Sequence, residues 1–168
     1  TSLSAGIPVS AGVHDQYLAA LGVNAILPGD VMFGSGTAWV LLATLEEPPS
    51  TFLHDGYLCR HIIEGRWGQM LSMVNGGSCL HWIMKVLGYD RLRSEDIDSI
   101  LAKVPLGSEG VRCRPLLNKA GGVGLKTEMA GKYDGIRLWH GRDHLLRAML
   151  EGLVLELTRH LTLLRTSN

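Results

Sequence analysis

A chain of 168 residues is long enough for one domain with a core, and 46% hydrophobic against 19% charged residues excludes a disordered segment. Sixteen basic and sixteen acidic side chains cancel, which removes the field a protein needs to grip phosphate backbones, so no nucleic acid is expected as a partner. The longest apolar uncharged stretch, Val31 to Leu45, falls short of the roughly 20 residues of a membrane span and is broken by Gly34, Gly36 and Thr37. No membrane association is expected, and the chain reads as a soluble, cytoplasmic protein.

In chain order, Gly6 to Val13 reads as a short buried strand in which Ile7, Val9 and Val13 mix with small residues and Pro8 sits near the start. His14 to Leu21 switches to helical period, with Gly22 placed as a C-cap. Val31–Phe33 and Trp39–Leu45 flank Gly34-Ser35-Gly36-Thr37 and predict two antiparallel strands joined by a glycine turn. Pro48 and Pro49 mark a surface connection. Tyr57–Ile63 and Trp67–Val74, separated by Glu64-Gly65-Arg66, predict a further strand pair.

Cys79 to Leu87 has helical spacing and Gly88 closes it; a second helix is expected from the N-cap Ser94, with Ile97, Ile100, Leu101 and Val104 on one face. Gly107 to Lys132 shows no convincing period beyond a short strand at Val111–Leu116. From Arg142 to Leu164, Leu145, Met149, Leu153, Leu157, Leu161 and Leu164 form one stripe, and Gly152 beside it predicts close contact with a neighbouring element. Arg147 and Glu151, four apart, read as a helix-surface ion pair, and the tryptophans at 39, 67, 82 and 139 read as core. Hairpins followed by covering helices predict a mixed α/β layer domain.

Cys59, Cys79 and Cys113 show no zinc-site spacing and read as buried free thiols; His140 and His144, without a third ligand, read as helix surface. The chain opens at Thr1 without an initiator Met or signal segment and stops at Asn168 just after the long helical pattern, so both ends are read as cuts.

Two features can carry chemistry. A carboxylate at the end of a buried strand where a helix begins, as in His14-Asp15-Gln16, can accept a proton from an alcohol held at a sheet edge; it can equally be a helix N-cap. A Gly-Ser-Gly-Thr turn exposes backbone N–H groups and a hydroxyl to phosphate oxygens, although glycine hairpins are also plain connectors. Together they describe phosphoryl transfer to a hydroxyl.

The run Gly6-Ile7-Pro8-Val9-Ser10-Ala11-Gly12-Val13-His14-Asp15-Gln16, with Ala19-Ala20-Leu21-Gly22 after it, resembles the opening of the C-terminal domain of the FGGY carbohydrate kinase family, including xylulokinase-like and glycerol kinase-like members. Gly36-Thr37 stands where that family has a Gly-Thr turn. Asn75-Gly76-Gly77-Ser78-Cys79-Leu80-His81-Trp82-Ile83 resembles its glycine-led helix, and Gly135-Ile136 with Arg147-Ala148-Met149-Leu150-Glu151-Gly152 resembles its long Arg-Ala-x-x-Glu-Gly helix. The four matches fall in family order. The segment Pro115-Leu116-Leu117-Asn118-Lys119-Ala120-Gly121 does not reproduce the family's Gly-Glu-Arg-x-Pro-like stretch.

The resemblance implies an α/β, ribonuclease H-like fold of the actin, sugar kinase and Hsp70 ATPase type, here incomplete. Residues 1–168 would be part of the nucleotide-binding domain, without the N-terminal sugar-binding domain and without the end of the C-terminal one. It implies Asp15 as catalytic base, Gly36, Thr37, Gly77 and His81 at ATP, and His14, Asp15 and Gln16 at the sugar. The implied cofactors are ATP and Mg²⁺, with no metal ligands in this stretch; the implied partner is a small sugar or polyol, and a homodimer is compatible. The parent would be a carbohydrate kinase, with this stretch inactive alone. The competing expectation is a catalytically silent, actin-like nucleotide sensor or assembly module.

Overall fold

The structure, a computed structural model, describes residues 4–10, 12–51, 53, 55–89, 94–118, 124 and 129–167. Its elements are α1 (Asp15–Gly22), β1 (Val31–Ser35), β2 (Trp39–Leu45), β3 (Tyr57–Arg60), β4 (Trp67–Met73), α2 (Gly77–Val86), α3 (Ser94–Leu101), β5 (Arg112–Arg114), β6 (Lys132–Asp134) and α4 (Arg142–Ser167). The first four strands form an antiparallel sheet in the order β1-β2-β4-β3, and β5 pairs with β6 in a separate ribbon.

Strand β2 is buried along almost its whole length because helices cover both sheet faces. Alternation sends Met32, Val40, Leu42 and Met70 to one face, against Tyr17 and Ala20 of α1. The opposite face carries Leu41, Ala43, Leu45 and Leu71 against Leu164 of α4. A third cluster joins α2, α3 and α4 through Cys79, Ile83, Ile100, Leu146, Met149 and Leu153. Each fully buried aliphatic side chain here contributes roughly 1.5–3 kcal/mol of transfer free energy.

Gly152 lets α4 touch β5: a Cβ there would sit 2.4 Å from the Cys113 carbonyl oxygen, the close contact its place in the helix predicts. The 26-residue α4 spreads its burial beyond one stripe, with Leu146 fully buried and Leu145 only partly so. His144 caps its start: the Gly141 N–H donates to His144 Nδ1 at 3.1 Å, and the His144 N–H donates to the Gly141 carbonyl. His140 precedes the helix and accepts the Arg137 N–H, so the pair is a cap and not a helix face.

Several expectations are corrected. Among the described residues, 6–13 contain no strand and Val9 is 91% exposed, because no strand lies alongside to pair with them; Ala11 is outside the described residues. Gly22 is the last residue of α1 and Val23 its C-cap, while the left-handed residue is Asn24 (φ 58°). Gly88 does take the left-handed conformation after α2. Strand β5 is shorter than expected, and its partner β6 lacks an alternating run long enough to be read from sequence. Helix α3 begins at Ser94, whose side chain is outside the described residues.

Trp82 and Trp139 are exposed by 46% and 68%; Trp139 lies in the β6–α4 connection and not in a packed element. Cys79 is buried, Cys113 half-buried and Cys59 exposed, all three free. The Arg147–Glu151 pair at 2.9 Å is a junction: Arg147 also donates to the Leu101 carbonyl and Glu151 accepts the Gly107 N–H, tying α3 and its following loop to α4.

Candidate active site

Helix α1 is held on the sheet by Tyr17. Its ring lies where a Cβ on Gly68 would be, 2.3 Å from Tyr17 Cε1, and its hydroxyl donates to the Gly68 carbonyl at 3.0 Å. The His61 ring packs on it at 5.4 Å, and burial pushes the phenol far up from its ordinary range. Glycine inside an apolar strand is the sequence signal of such a close approach.

The residues just ahead of that anchor form the first turn of α1. His14 is the N-cap; its Nδ1 and Asp15 Oδ1 both accept the Gln16 N–H, at 3.2 and 2.9 Å. Asp15 is thus a first-turn carboxylate, stabilised by the helix N-terminus, while its side chain stays 82% exposed. It borders a cavity of about 640 Å³ between the start of α1 and strand β3, floored by Val40, Met70 and Ser72. His14, Asp15 and Gln16 all line it.

Strands β1 and β2 pair as far as Ser35 opposite Trp39, so their turn is Gly36-Thr37-Ala38. The start of α2 abuts that turn. A Cβ on Gly77 would sit 2.4 Å from the Gly36 carbonyl oxygen, and the Ser78 N–H donates to the Thr37 carbonyl at 2.9 Å. Gly76 lies against Trp39, where a Cβ would come within 2.6 Å of ring and backbone. Gly36, Thr37 and Gly77 therefore make one backbone shelf with the Thr37 side chain exposed. One early N–H of α2 is already engaged by Thr37, which narrows what that helix start can offer an anion. His81 is exposed one turn along α2, on the same side of the helix as Gly77.

Gln16 connects the two groups. Its Oε1 is 3.2 Å from where a Cβ on Gly34 would be, and Gly34 belongs to the rung Gly34–Val40–Ser72, next to the pair that closes the turn. The start of α1 and the Gly36-Thr37 turn therefore share one end of the sheet. Among the described residues no three His, Cys, Asp or Glu side chains gather as a metal site, and no helix is long and apolar enough to cross a membrane.

No protein-family model matches the chain. It is 26% identical over 159 residues to a gluconokinase of Bacillus subtilis, an alignment covering 89% of this chain and 31% of that protein. It is 28% identical over 151 residues to a xylulose kinase of Escherichia coli, covering 88% of this chain and 30% of that protein. Among solved structures, xylulose kinase from Rhodospirillum rubrum superposes with a TM-score of 0.84 at 29% identity, over 99% of this chain and 33% of that one. The chain spans about a third of the length of the curated relatives it matches. These relatives are sugar kinases with a ribonuclease H-like fold, and the mixed α/β layers and partial sheet described above agree with an incomplete copy of it. Over most of its length the chain is similar to part of these FGGY carbohydrate kinases.

Proposed function

We propose that the protein carrying this chain is a cytoplasmic, ATP-dependent carbohydrate kinase that phosphorylates a hydroxyl of a small ketose or polyol, and that residues 1–168 are part of its C-terminal, nucleotide-binding domain. The observation that carries the reading is the convergence at one sheet end of the first-turn carboxylate Asp15 and the backbone shelf of Gly36, Thr37 and Gly77, linked through Gln16 and Gly34.

In this reading Asp15 takes the proton of the attacking hydroxyl. His14 and Gln16 beside it hold neighbouring hydroxyls of the sugar. The exposed turn Gly36-Thr37 lines the β- and γ-phosphates, Gly77 lets the nucleotide approach the α2 backbone, and His81 offers a polar side chain one turn later. The crowding at Gly77, where any side chain meets the Gly36 carbonyl, suits a surface that a phosphate chain must approach at backbone distance. ATP, when bound, supplies the phosphoryl group, and Mg²⁺ arrives with it and offsets its charge.

The test is an ADP-release screen of the full-length polypeptide against ketoses and polyols. Sugar-dependent ADP release from one of them is expected; none across the panel would overturn the kinase reading.

A further inference from the structure

The cavity beside Asp15 has a second wall, formed by residues outside the motifs that the sequence singles out. Strand pairing fixes it: Ser72 pairs with Val40, and Tyr57 pairs with Met70, so all four send their side chains to the face covered by α1. Tyr57 is 58% exposed on the edge strand, and Ser72 is half-buried on the floor. Among the described residues neither hydroxyl has a hydrogen-bond partner, and the Tyr57 ring has no aromatic neighbour. Tyr57 lies one same-face rung further from the Gly36-Thr37 turn than Ser72, about 7 Å along the strand.

We propose that Tyr57 and Ser72 form the acceptor subsite of this half and select an uncharged polyhydroxy compound. The proposal rests on the kinase reading for the direction of its chemistry. An acceptor whose reacting hydroxyl meets Asp15 runs its remaining carbons over Val40 and Met70 toward Tyr57, with Ser72 and Tyr57 offering hydroxyls and the ring an apolar face.

Within this stretch the charges favour one class. Arg60 borders the cavity, but it pairs with Trp67 in the ladder and leaves on the opposite face, where its guanidinium lies 4.1 Å over the Trp67 ring. Among the described lining residues Asp15 is the one carboxylate, so an acidic sugar would meet a like charge with no guanidinium opposing it.

Cys59, two residues along the same edge strand and on the same face, reports occupancy without turnover. It is exposed, whereas Cys79 is buried and burial pushes the Cys113 thiol up to about 11. The experiment follows iodoacetamide alkylation of Cys59 in the full-length polypeptide by peptide mass, with neutral ketoses or polyols and with aldonates, alongside ADP release by Tyr57→Ala, Tyr57→Phe and Ser72→Ala.

A neutral acceptor is expected to slow Cys59 alkylation and an aldonate to leave it unchanged. The acceptor KM should rise about tenfold in Tyr57→Ala and about threefold in Ser72→Ala, with Tyr57→Phe between wild type and Tyr57→Ala and the ATP KM unchanged. Protection without ADP release supports the subsite and overturns the kinase reading. ADP release without protection and with unchanged acceptor KM supports the kinase and overturns the subsite. Preference for an aldonate overturns the uncharged class.

Discussion

Gly77 and Gly36 meet backbone to backbone, so closely that a methyl group on Gly77 would lie 2.4 Å from the Gly36 carbonyl oxygen. The obstacle is main chain and cannot rotate away. Gly77→Ala is therefore expected to push the Gly36-Thr37 turn off α2, costing about 1–3 kcal/mol of stability and raising the ATP KM more than the sugar KM. Gly22→Ala, in open space at the end of α1, is the control: its melting temperature should match or slightly exceed wild type. Equal thermal shifts in the two variants would contradict the shelf.

The anchor of α1 gives a second expectation. Tyr17→Phe keeps the ring over Gly68 but strands the Gly68 carbonyl, at a cost of about 1 kcal/mol. Gly68→Ala drives a methyl into the Tyr17 ring and should destabilise more. Chemical denaturation of both variants checks the order, and because the ring also seats the turn bearing Asp15, Gly68→Ala should lower kcat while Tyr17→Phe leaves it close to wild type.

A third expectation concerns α4. Gly152→Ala places a methyl against the Cys113 carbonyl and should separate the helix from β5, lowering stability by about 1–3 kcal/mol. A thermal shift indistinguishable from that of Gly22→Ala would show that the helix–ribbon contact is dispensable.

Two buried histidines set a pH dependence. Desolvation lowers the pKa of His61 and of His160, and the Nε2 of each is buried without a hydrogen-bond partner among the described residues. His160 Nδ1 faces the Glu156 carbonyl at 2.8 Å, which holds the ring as the Nδ1–H tautomer with Nε2 bare. A folded pKa below the unfolded value of about 6.5 means the unfolded chain binds the proton first. Their contribution is thus fully present above pH 6.5 and is lost as pH falls below it. The melting temperature should drop between pH 7 and pH 5, and the drop should be shallower in His160→Gln.

How much of this was legible in sequence follows from where each signal resides. Strands β1, β2 and β4 were readable because apolar runs bounded by Gly and Pro give strand length and turn position together, and Gly152 was readable because glycine is costly inside a helix. The segment 6–13 has the composition of a strand, yet a strand exists only with a partner, and pairing is not a property of one segment. Trp139 looked like core because its neighbours are apolar, but Ile136 and Leu138 are exposed with it. Of the site, Asp15, the Gly36-Thr37 turn and Gly77 came from motif order. Tyr17, Tyr57 and Ser72 could not, since their roles depend on which strand lies beside which and on which face alternation sends each side chain. Gly68 alone hinted that something large would lie on β4.

The most direct measurement of the central claim is Asp15→Asn in the full-length polypeptide, read as sugar-dependent ADP release together with sugar affinity. If Asp15 is the base, turnover should fall by roughly 10²–10⁴-fold while sugar affinity changes little. Near-normal turnover in that variant would contradict it.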